Sequence, residues 1–165
     1  MKIRFSIGAI VVLASTISAV RGAILESPRG NAVVFDYVPN SSLIVVPVMI
    51  NSHGPFRFLL DTGATKTIVS ARLADKLGIP KGRIEMLLSA GGNLPVTART
   101  LRKLDVGNNR LENVEVVAGD LPLMKTLKVD GLLGGDYLRR FKISIDYDNR
   151  MVELQPCCDS LSLLT

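Results

Sequence analysis

The chain has 165 residues, 47% of them hydrophobic, which is material for one core rather than two domains. Its formal charge of +5 sits largely at the N-terminus, since Lys2, Arg4 and Arg21 precede residue 23 and leave 17 basic against 15 acidic residues beyond it. With aromatics at 5%, no Trp and no zinc-finger or RNP-type pattern, that balance excludes a nucleic-acid partner.

Residues 1–22 read as an export signal. Lys2 and Arg4 form a positive leading region, residues 5–14 are mostly apolar, and small residues follow, with cleavage expected after Ala19 or Gly22. The competing reading is an uncleaved membrane anchor. Against it, residues 5–20 fall short of the roughly 20 apolar residues of a spanning helix and include Ser6, Ser15, Thr16 and Ser18. The expected location is therefore extracytoplasmic, periplasmic or secreted, with membrane contact only if the segment stays uncleaved. Residues 23–31, with Pro28, Gly30 and Asn31, look like a linker, residues 32–155 like the domain, and residues 156–165 like a tail. In that tail Cys157 and Cys158 are neighbours, so they build no disulfide framework; bridges between chains and free thiols both remain open.

Residues 32–37 form a first candidate strand, and residues 43–50 a dense Val/Ile strand whose Pro47 marks an edge or bulge. The run Asn51-Ser52-His53-Gly54-Pro55 punctuates a hairpin, and residues 56–60 return as a buried strand ending on Asp61. Residues 67–70 continue the sheet, and residues 71–77 have a short helical pattern closed by Gly78. Residues 84–88 and 94–101 flank Ser89-Ala90-Gly91-Gly92-Asn93, a hairpin with a flexible tip. Residues 104–106 and 110–118 repeat the strand–turn–strand theme, and residues 121–128 read as loop. A helix of one or two turns fits residues 136–140, and residues 142–146 and 151–155 close the chain as a hairpin. Many short strands with one or two short helices give an all-β, barrel-like single domain.

One acid stands out. Burying a charged Asp is costly without donors or a shared proton, so an acid carried by a rigid strand into a glycine-containing loop points to chemistry. A metal site is not implied, because one His and two adjacent Cys cannot complete a tetrahedral set. The calcium-loop hint at Asp146-Tyr147-Asp148-Asn149 fails at Met151 and Cys157, and no phosphate loop is present, so no cofactor is expected. His53 reads as a surface turn residue, and no nucleophile is placed for a triad through it.

Leu59-Leu60-Asp61-Thr62-Gly63-Ala64 resembles the active-site loop of the retropepsin-like aspartic proteases. Two further stretches strengthen the resemblance: a Gly-tipped candidate flap over residues 84–100, and Leu132-Leu133-Gly134 leading into a short helix. The resemblance covers roughly residues 32 to 155 and implies a closed barrel with a flap hairpin. It also implies a homodimer hydrolysing polypeptides, because retropepsins are obligate dimers of single-motif chains. That agrees with the chemistry: hydrolysis by carboxylates alone needs two groups sharing one proton, and this chain has a single Asp-Thr-Gly.

On this reading Asp61 is catalytic and pairs with its twin, and Thr62 hydrogen-bonds across the dyad. Gly63 allows the tight turn and donates its amide, and Gly91 and Gly92 are the mobile flap tip. Leu132 and Leu133 are expected to line the pocket, and Gly134 to permit close packing on the Asp loop. Ala64 lacks the hydroxyl donor of pepsin-like loops, which implies a less acidic working range. Gly135 stands where retroviral members often carry Arg, with Arg139 and Arg140 as conceivable replacements. The alternative function is a non-catalytic module of the same fold that binds peptides or drives assembly in the cell envelope.

Overall fold

The structure, a computed structural model, describes residues 30–89 and 92–157. The expected signal segment, most of the expected linker, Gly91 and Cys158 lie outside the described residues.

The stretch 32–37 expected as one strand is two, β1 (Ala32–Val34) and β2 (Asp36–Tyr37). The break falls at buried Phe35, whose amide bonds the Arg150 carbonyl as the chain changes partners. Strand β3 (Ile44–Ile50) turns back into β4 (His53–Leu60) through Asn51 and Ser52, both at positive φ. The five-residue punctuation is thus a two-residue turn, and β4 begins three residues earlier than the sequence reading has it. Then come β5 (Ile68–Val69), α1 (Ala71–Lys76) and the hairpin β6 (Ile84–Ser89) with β7 (Gly92–Val106). The second half holds β8 (Asn109–Ala118), α2 (Pro122–Leu127), β9 (Gly131–Leu133), α3 (Gly135–Leu138), β10 (Phe141–Asp146) and β11 (Met151–Pro156).

The large sheet runs β2-β3-β4-β9-β5-β8-β7-β6, and β3 also pairs with β7 through Met49↔Asp105 and Ile50↔Leu104. That extra pairing closes β3, β4, β9, β5, β8 and β7 into a six-strand barrel, with β2 and β6 as appended edges. Pro47 lies between the β2 and β7 pairings of β3, on a stretch where only β4 pairs with it, so its missing N–H breaks no ladder there. A separate three-stranded sheet, β1-β11-β10, packs beneath.

Two cores explain why the central strands read as unbroken apolar runs. Val46, Val48, Phe58 and Leu133 enter the main core, while Val45, Leu59 and Leu132 enter a second one with Val117 and Met124. Successive residues of a strand face opposite ways, so β3, β4 and β9 are buried on both faces.

The segment 121–128 is a helix, not a loop, with Pro122 in its first turn and Lys128 ending it in the left-handed region at φ 53. Its Met124 seals the second core. Helix α1 is capped by the Ser70 hydroxyl, which accepts from the Leu73 amide. Buried Arg99 of β7 ties this helix down, donating to Asp75 Oδ1 at 2.7 Å and to the Ile79 carbonyl. The Arg99 hydrogen bond holds the Asp75 carboxyl below the usual carboxylate range.

The tightest packing is at Gly131, where an added Cβ would sit 2.2 Å from the Phe58 ring and 2.5 Å from the Ile68 carbonyl oxygen. Gly131→Ala is expected to destabilise the fold by about 1–3 kcal/mol, read as a lowered urea midpoint at unchanged m-value.

Candidate active site

β4 runs parallel to β9, with Leu59 opposite Leu132 and Leu60 opposite Leu133, and the Asp61 amide extends the pairing by donating to the Leu133 carbonyl at 3.1 Å. The chain then leaves the sheet as a tight loop. Asp61 Oδ1 accepts from the Gly63 amide at 2.9 Å and the Ala64 amide at 3.2 Å, while Oδ2 has no hydrogen bond among the described residues. One oxygen is thus fixed by the loop's own amides. The residue is partly exposed, and Thr62 and Gly63 stand exposed at the loop tip.

What stiffens the loop lies behind it. Gly135 donates to the Ala64 carbonyl at 2.7 Å and Asp136 to the Thr65 carbonyl at 3.2 Å. Asp136 Oδ1 in turn accepts from the Thr67 amide at 2.8 Å, the Thr67 hydroxyl at 2.6 Å and the Tyr137 amide at 2.8 Å. Fully buried Thr67 also accepts from the Gly134 amide at 3.2 Å. Gly134 packs so closely that a Cβ there would come within 2.4 Å of the Lys66 carbonyl group. The sequence reading assigns Asp136 only a helix-start role; its bonds to Thr67, 69 positions away, were not legible.

A cavity of about 330 Å³ opens beside Asp61. Its walls come from the loop, from Leu87, Leu88 and Ser89 of β6, from Leu121 and Leu123 at α2, and from Leu132. The expectation that both leucines of the second signature line this pocket is corrected here. Leu132 does so, but Leu133, with no exposed surface, points into the main core because neighbours on a strand alternate sides. Leu121 and Leu123 are wall residues that the sequence does not single out, since residues 121–128 read as loop.

The flap is the β6–β7 hairpin, in register from Ile84↔Thr97 to Ser89↔Gly92, with Gly92 at φ +103. Gly91 is outside the described residues. Ile84, Met86 and Leu88 are 76%, 63% and 81% exposed, an apolar stripe on an edge strand. At Gly135 the chain carries no side chain for an ion pair. Arg140 Nε donates to the carbonyl of Asp136 in the preceding helix at 3.2 Å, and the Arg139 side chain has no hydrogen bond or ion pair among the described residues, so neither residue takes the absent Arg's place there. No group of three or more metal-ligating side chains occurs among the described residues.

Thr67→Val keeps the side-chain shape while leaving Asp136 Oδ1 and the Gly134 amide each short of a partner. A loss of about 1–3 kcal/mol is expected in chemical denaturation, with Thr67→Ser recovering most of it.

Residues 46–137 match the sequence profile of a family described as aspartyl protease, a span that holds the Asp61 loop, the flap and Leu132–Gly134. No curated protein matches the chain. Among solved structures, the chain is similar to a retropepsin-like aspartic protease from Rickettsia conorii, with a TM-score of 0.52 at 23% identity, covering 74% of this chain and 87% of that one. It also matches the EIAV protease, complexed with the inhibitor HBY-793, at TM-score 0.46 and 21% identity over 63% of this chain and 91% of that one.

Proposed function

This chain belongs to the aspartyl protease family and has the retropepsin-like fold, and on that premise we propose that it is an exported, homodimeric aspartic endopeptidase. The observation that carries the reading is Asp61 itself. It is a carboxylate with one oxygen held by two amides and the other unbonded among the described residues, at the edge of an apolar cavity wide enough for a peptide side chain.

One such group per chain is half of a catalyst. A second copy related by a two-fold axis supplies the other half, and the two carboxyls share a single proton because both cannot ionise side by side. The ionised member takes a proton from water as the water oxygen attacks the peptide carbonyl carbon. The protonated member gives its proton to the carbonyl oxygen. The first carboxyl then gives its proton to the amide nitrogen while the second takes one back from a hydroxyl of the tetrahedral intermediate. The C–N bond breaks to release acid and amine, and the dyad is left with its single proton. Thr62 of each copy holds the two loops in register, Gly63 donates to the carboxylate, and Leu132 floors the side-chain pocket. The flap closes over an extended polypeptide that adds to it as a strand.

The apolar stripe of Ile84, Met86 and Leu88 supports an assembly in which a second copy or the substrate covers it. The basic and then apolar run of residues 1–22 supports export to a periplasm or beyond.

The test is digestion of a peptide library by the mature protein beside Asp61→Asn. The substitution is expected to lower kcat by at least about a hundredfold. Equal cleavage by both proteins removes the enzyme reading and favours a peptide-binding module. Specific activity is also expected to fall on dilution as sedimentation reports dissociation, whereas a monomer with undiminished activity contradicts the shared dyad.

A further inference from the structure

We propose that Lys66 selects substrates with an acidic side chain flanking an otherwise apolar recognition sequence. The inference rests on the protease reading of the cleft and adds to it a substrate class. Among the described residues that wall the cavity beside Asp61, only Asp61 and Lys66 are charged. The rest of the wall is dominated by leucines and Ile68, surfaces that take apolar side chains and weaken the screening of any charge placed among them.

Lys66 is a cation without a counter-ion. It has no ion pair among the described residues, and its side chain is exposed. Its backbone, by contrast, is fixed. The Thr65 carbonyl before it and the Thr67 amide after it are both bonded to Asp136, and Gly134 lies against its own carbonyl. A charge swung from so rigid a base loses less freedom on meeting a ligand than one on a mobile loop.

Lys66 also stands where two cavities meet. It lines an adjoining hollow of about 410 Å³ beneath the root of the flap. The other cations there are engaged: Arg83 with Glu85 at 2.8 Å, and Arg99 and Lys81 with Asp75 at 2.7 and 3.6 Å. Glu115 is the remaining acid of that hollow and does not reach the Asp61 cavity. A substrate carboxylate running from the apolar pocket toward this junction meets Lys66 as its free partner, and a substrate lysine meets repulsion. In a two-fold dimer Lys66 occurs once in each half of the cleft, so the preference falls on both sides of the cleaved bond.

The test uses short peptides with apolar residues at the centre and Glu, Gln or Lys placed at each outer position in turn. Each is made with an ordinary and with a reduced, non-hydrolysable central amide. Cleavage is followed for the first form and binding by fluorescence anisotropy for the second. The expected result is a preference for Glu over Gln of about five- to tenfold at low ionic strength, lost in Lys66→Met and turned toward Lys in Lys66→Glu. Thermal melts of both variants confirm that they fold. Charge-blind binding, a Glu preference that survives Lys66→Met, or no binding of any peptide each overturns the proposal. Glu-selective binding that depends on Lys66, without cleavage, upholds it and removes the catalytic reading instead. Charge-blind cleavage that depends on Asp61 does the reverse.

Discussion

The carboxylate of Asp136 gathers three hydrogen bonds at one oxygen, two of them from Thr67, and the position of the whole cleft follows from that knot. Hydrogen bonds to an ionised acceptor are roughly twice as strong as neutral ones, and this knot joins segments 69 residues apart. On one side hangs the loop that presents Asp61. On the other begins α3, whose preceding strand already pairs with the strand leading into Asp61. The loop's own amides hold the Asp61 carboxylate, and the knot anchors the far end of that loop of small and hydroxylated residues to the fold. Preorganisation of the reacting group is what the proposed proton-sharing pair requires, so on that reading stability and chemistry draw on the same bonds.

The barrel's two cores divide their duties. The main core, between the closed barrel and the three-stranded sheet, holds the strands in register. The second core lies under the cleft: Leu132 belongs to it and also walls the cavity, and α2 covers it while offering Leu121 and Leu123 to the same cavity. Strands buried on both faces leave little slack, since packing at near-crystal density transmits even small shifts. The flap hairpin is held to the second core by Val96, Leu87 and Leu94, while the outer face of its edge strand stays exposed as an apolar stripe. On the protease reading, a firm floor beneath an exposed hairpin suits a site that grips an extended chain and releases its pieces.

Much of this is visible in the sequence. Leu59-Leu60-Asp61-Thr62-Gly63 and Leu132-Leu133-Gly134 read as strand ends because unbroken apolar runs meet glycine, and two-sided burial is what makes such runs. The flap reads from its paired glycines. What escaped depends on distance or on short length. Asp136 and Thr67 look like ordinary helix-start and strand residues until the fold brings them together. Helix α2 has six residues and one buried side chain, too little for a periodic signal, and only Pro122 hints at it. The 15-residue β7 reads as two strands because Arg102 and Lys103 interrupt the apolar pattern. The resemblance puts both Leu132 and Leu133 in the pocket, and only the register of β9 decides that Leu132 faces it.

The central claim is that the catalytic unit is two copies of Asp61 and never one. Mixing wild-type protein with Asp61→Asn at fixed total concentration, after exchange of subunits, tests it most directly. If both carboxylates are needed, hybrid dimers are silent and activity follows the square of the wild-type fraction. Activity that falls in simple proportion to the wild-type fraction would mean that each chain works alone, and would contradict the account.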